Sequence, residues 1–118
     1  MDTNEMYQRR DIEKLLKRDV KQLYKLIAQA DPNYKGMQFA PDQAIKMGQK
    51  SLAKLKDGIY EKICIEWDYC NQARNADVMT LIVTISNLIL QSVSGIPANI
   101  IAVLLFKIGL DQFCECTE

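Results

Sequence analysis

The feature that most constrains this chain is a run of 29 residues, 78 to 106, that carries no charge. A stretch of that length has to be buried, in a protein core or in lipid, and a spanning helix takes about 20 apolar residues. Ser94-Gly95-Ile96-Pro97 divides the run into pieces of 16 and 10 residues, 78–93 and 97–106. Glycine suits the close of one helix and proline the first turn of the next. Neither piece comfortably crosses about 30 Å of hydrocarbon. The run therefore predicts an apolar helical hairpin, 78–93 and 97–116, packed in a water-soluble bundle.

Polar residues support that reading. Thr80, Thr84, Asn87 and Gln91 are four, three and four apart and form one stripe, which a helix surrounded by lipid has no use for. On the last helix Asn99, Lys107, Asp111 and Glu115 fall at multiples of four, with Val103 interrupting the row. Lys107 and Asp111 are spaced to pair at i,i+4. The alternative is a hairpin that inserts into a bilayer with its polar stripes facing each other.

Upstream, Ile12, Leu15, Leu16, Val20, Leu23, Ile27 and Ala30 recur at helical spacing, predicting a basic amphipathic helix over 4–30. Asp31-Pro32-Asn33 closes it. Pro41 and Asp42 suit the first turn of a second helix, whose apolar positions continue to Cys70. Carried to residue 74 it is unusually long, and Gly58 is where it is expected to bend or break. Ile63, Ile65 and Trp67 alternate as in a strand, but no second strand of that character is available to pair with it. The fold class expected is all-α, a small four-helix-type bundle in a single domain, 1–118, with Trp67 at its centre.

The chain contains no histidine, which removes Ser-His-Asp and Cys-His nucleophiles and histidine-containing zinc patterns. It has no phosphate-binding glycine-rich loop and no helical carboxylate pattern for a di-metal centre. Neither enzymatic activity nor a cofactor is expected. Cys114-Glu115-Cys116 is the one local motif with thiol chemistry, a candidate for a soft metal or an exchange-active disulfide. Its spacing and the six-residue interval from Cys64 to Cys70 do not match zinc-ribbon pairs. The simpler expectation makes Cys64 and Cys70 small buried groups, packs Cys114 beside Phe113 and leaves Cys116 at a frayed end. With no apolar signal core behind Met1, reduced thiols and a cytoplasmic location, with membrane association as the alternative, are expected.

Net charge is zero, but residues 1–58 hold 12 cations and 8 anions while residues 59–118 hold 3 and 7. Arg10, Lys14, Lys17, Arg18, Lys21 and Lys25 give the first helix a cationic face, the main candidate interaction surface. No stacking aromatics interleave with these cations, and the asymmetry between the halves is modest, which argues against nucleic acid. Asp11, Glu13 and Asp19 are available to neutralise the face locally. The function expected is a non-enzymatic helical module for protein–protein interaction or oligomerisation, with a protein partner or a second copy bound.

Overall fold

Short acidic side chains decide where several helices start. The computed structural model describes residues 3–73 and 75–117. In it the first expected helix is two, α1 (Thr3–Leu16) and α2 (Val20–Ala30). Between them Asp19 Oδ1 accepts from the Gln22 N–H at 2.8 Å, while Gln22 Oε1 accepts from the Asp19 N–H at 3.1 Å. This reciprocal cap satisfies two donors that a new helix start would otherwise leave open. The continuous helix over 4–30 is thus corrected to a helical corner.

Asp31 ends α2 and is only 4% exposed. Its two carboxylate oxygens accept from the Asn33 N–H at 2.9 Å and from the Ser51 hydroxyl at 2.6 Å. That second bond ties the turn Pro32–Tyr34 to α3 (Pro41–Tyr60). In α3, Gln43 Oε1 accepts from the Ala40 N–H, and Pro41 occupies the first turn. Gly48 lets α2 and α3 cross closely, because a methyl group there would overlap the Tyr24 carbonyl.

The helix passes Gly58 without breaking and loosens further on, in a π-helical turn over Glu61–Glu66. There the Trp67 N–H donates to the carbonyl of Lys62, five residues back, at 3.2 Å. Asp68 then adopts a left-handed conformation, φ +57°, before the short α4 (Tyr69–Gln72). Residue 74, the expected end of this helix, lies outside the described residues. Trp67 is half-buried at the edge of the core beside Tyr69, not at its centre, because the π-helical turn and the reversal at Asp68 carry it to the margin.

The centre is formed by the hairpin instead. Asp77 caps α5 (Val78–Ile89) through the Thr80 N–H at 2.8 Å, and a single 3-10 turn, Leu90–Ser92, follows. Ser94 and Gly95, at φ +51° and +89°, reverse the chain into α6 (Ala98–Ile108), as the Ser94–Pro97 punctuation predicts. Five successive residues of α6, Ile101 to Leu105, are buried, so it is apolar on all sides, as a central helix must be. Gly109, at φ +121°, ends α6 before α7 (Leu110–Phe113). Lys107 and Asp111 therefore do not share one helix, and Asp111 accepts from the Tyr69 hydroxyl at 2.8 Å instead. The architecture is an all-α bundle around one continuous core, with no strand among the described residues. No helix among them is long and apolar enough to cross a membrane.

Candidate interaction surface

The cysteines have a structural use. Cys64 in the π-helical turn is bonded to Cys114, and Cys70 in α4 to Cys116, so no cysteine is free. The expectation of reduced thiols is corrected, as is the frayed position given to Cys116. On a regular helix Cys64 and Cys70 point apart. The π-helical turn and the reversal at Asp68 bring both to the same tail, where Glu115, at φ +54°, separates the two partners. Cys114 and Cys116 thus neither pair with each other nor offer thiolates to a metal. Among the described residues no group of three or more carboxylates and cysteines is arranged to hold a metal ion.

The predicted cations gather at the α1–α2 corner. Arg10, Lys14, Lys17, Arg18 and Lys21 are exposed, and Lys25 is half-buried. Lys14 and Arg18 border a groove of about 390 Å3 with Leu15, Leu26, Pro97 and Ile100. Ion pairs form between Arg9 and Glu5 and between Lys62 and Glu66, but at none of these six cations among the described residues. Two of the acids expected to neutralise the face hold hydrogen bonds rather than ion pairs, and Asp11 lines this same groove. Asp19 caps α2, and Asp11 accepts from Asn99 Nδ2 at 2.9 Å.

That bond belongs to a polar row joining three helices, which sequence reading reached only through Asn87 and Asn99. Gln8 of α1 donates to Asn87 Oδ1 of α5 at 3.1 Å and to Asn99 Oδ1 of α6 at 3.2 Å. The hydroxyl of Ser86, buried against α6, also donates to Asn99 Oδ1. Such a row lets polar atoms enter a helix–helix seam without an unmet hydrogen bond. It lines a cleft of about 700 Å3, whose rim includes Tyr7 and Leu90. These two are 62% and 63% exposed, well beyond what large apolar side chains in a packed interior show. Gln8 and Asp11 lie three apart on α1, a spacing that signals a shared helix face.

No family model matches this chain, and no curated protein or solved structure is similar to it. The surface has to be judged from its chemistry alone. Shifts in ionisation are local and separate. Burial raises Tyr24. Burial, with the Asp111 hydrogen bond and charge, pushes Tyr69 up to about 12. Hydrogen bonds from Thr80, with a smaller effect of the Arg9 charge, hold Asp77 below the usual carboxylate value.

Proposed function

We propose that this chain is a non-enzymatic helical module for protein–protein interaction, which engages an acidic surface of a partner through the cationic corner of α1 and α2. The observation that carries this reading is the set of exposed cations that make no ion pair among the described residues, beside a groove lined by Leu15, Leu26, Pro97 and Ile100 together with Asp11. Uncompensated charge around an apolar patch speeds encounter, and the patch supplies burial once contact is made. The partner is a second protein rather than nucleic acid, since no aromatic side chain lines the groove bordered by Lys14 and Arg18. An acidic half of a second copy is the competing source of the same charge.

Less supports membrane insertion. The hairpin residues that would have to face lipid, Ile101 to Leu105 above all, already form the core. Two disulfides also fit an oxidising compartment better than the cytoplasmic placement expected from the sequence.

The test is parallel affinity capture with the disulfide-bonded chain and its Lys17→Glu/Lys21→Glu variant, then reconstitution with the purified partner. The variant should lose the partner while its circular dichroism is unchanged, and added salt should weaken the wild-type complex. Equal capture by both proteins overturns the reading. Light scattering on the chain alone distinguishes self-association, and flotation with liposomes would replace the proposal by the membrane one.

A further inference from the structure

The two depressions beside α1 share lining residues. Asp11 and Pro97 border both the cleft that holds the polar row and the groove flanked by Lys14 and Arg18. Together they make one trough alongside α1 and the start of α6, with three chemically distinct parts. One end presents the exposed apolar surfaces of Tyr7 and Leu90, with Asn4 and Glu5 also lining it. The middle is rich in amide and carboxylate groups. The other end is cationic.

The middle has hydrogen-bonding capacity to spare. Gln8 uses both amide hydrogens and Asn99 is engaged at both its oxygen and its nitrogen. Gln8 Oε1, Asn87 Nδ2 and the second oxygen of Asp11 make no bond among the described residues. Two acceptors and a donor at the lining of one cleft match the alternating N–H and C=O groups of an extended backbone. A helical ligand has no such groups to offer along its length, because they are bonded internally.

We propose, building on the interaction reading above, that this trough binds an extended segment of the partner that carries an apolar residue near one end and an acidic residue near the other. The apolar side chain seats between Tyr7 and Leu90, the backbone crosses the polar row, and the acidic side chain meets Lys14 and Arg18. From Tyr7 to Lys14 is seven residues of α1, roughly 10 Å at about 1.5 Å per helical residue, and Arg18, two residues past the end of α1, lies somewhat further on. An extended chain covers that distance in about three to five residues at about 3.3 Å each. The spacing between the apolar and acidic residues is therefore part of the proposal.

The experiment is selection from a random peptide display library on the full, disulfide-bonded chain, followed by fluorescence anisotropy with the enriched peptides in synthetic form. The enriched peptides should place an acidic residue three to five positions from an apolar one. Leu90→Glu and Lys14→Glu/Arg18→Glu should each weaken binding at least tenfold, while Ile65→Glu, an exposed position on the π-helical turn, should leave it unchanged. Failure to enrich any sequence, or enrichment of peptides without the acidic residue, overturns the proposal. Ligands sensitive to Lys17→Glu/Lys21→Glu but indifferent to Leu90→Glu also overturn the trough, yet leave the interaction reading standing. Ligands indifferent to all three variants overturn both.

Discussion

Beyond the C-terminal end of α6, two disulfides join the tail to the π-helical turn and α4, whereas at its N-terminal end a row of hydrogen bonds between amide, hydroxyl and carboxylate groups runs along the seam of α1, α5 and α6. The covalent end sets Tyr60 against Phe113 and Trp67 against Tyr69. The hydrogen-bonded end leaves Tyr7, Leu90 and a set of cations that make no ion pair among the described residues facing outward. On the proposed function, stability and recognition are divided between the two ends of one central helix. A surface can stay open to a partner when the chain is secured elsewhere.

Cutting the covalent end should have the largest effect. The bonds span 50 and 46 residues, and closing a loop of about 50 residues restricts the unfolded chain by about 4 kcal/mol. Because the second bond joins the same two segments, it closes a much smaller additional loop, worth about 3 kcal/mol on the same chain-entropy reasoning. Replacing all four cysteines by serine should therefore lower stability far more than replacing Cys70 and Cys116 alone, as read from urea midpoints. Equal midpoints with and without a thiol reductant would mean that the clamp contributes nothing.

Between the two ends, the α2–α3 crossing depends on a single missing side chain. Gly48→Ala places a methyl group against the Tyr24 carbonyl, which cannot move without shifting a helix, and should cost about 3 kcal/mol. Gly58→Ala in the same helix is the contrast. Its added carbon would meet only Ser92 Cβ, at 3.9 Å, so the variant should be neutral or more stable by up to about 1 kcal/mol. Thermal melts of the two variants measure that difference, and similar melting temperatures would remove the crossing from the account.

At the hydrogen-bonded end Asn99→Ala should cost about 2 kcal/mol, since it leaves Ser86 and Asp11 without their Asn99 bonds in one seam. Its effect should also be local. Hydrogen exchange should quicken at the α1–α5–α6 seam and stay slow around Cys64 and Cys114, whereas a uniform acceleration would contradict the division between the ends.

How much of this was legible in the sequence depends on how local the determinant is. Gly95 and Pro97 act within a few residues, so the hairpin could be read directly. The corner at Asp19 was also local, in the Asp19 and Gln22 capping pair, but Leu15, Leu16, Val20 and Leu23 keep helical spacing across it and conceal the break. The disulfides were not legible, because the pairing requires a π-helical turn and a left-handed Asp68 that no spacing rule anticipates. Trp67 misled for the same reason. Its position on an ideal helix put it inside, and the departure from ideal geometry just before it carried it to the edge. Five of the six cations lie exposed and Lys25 is half-buried, but the bond that Asp11 accepts from Asn99, 88 residues away, has no local signature.

The smallest expected effect tests the covalent end without touching its sulfurs. The Tyr69 phenol donates to Asp111 at 2.8 Å, and burial together with that carboxylate pushes its ionisation from the ordinary 10.0 up to about 12. A tyrosine whose folded value is raised contributes stability that is complete below the unfolded value and is lost as pH climbs from about 10 to about 12. Burial also raises Tyr24, which steepens the same alkaline decline, so the informative quantity is the difference between wild type and Tyr69→Phe. Below pH 10 that difference should be constant, and between pH 10 and 12 it should shrink in urea melts followed by circular dichroism. Solvent reaches the pair, so the change should be modest. An unchanged difference through pH 12 would mean that the phenol and the carboxylate do not hold the tail, leaving the two sulfur bonds as its main attachment to the π-helical turn and α4.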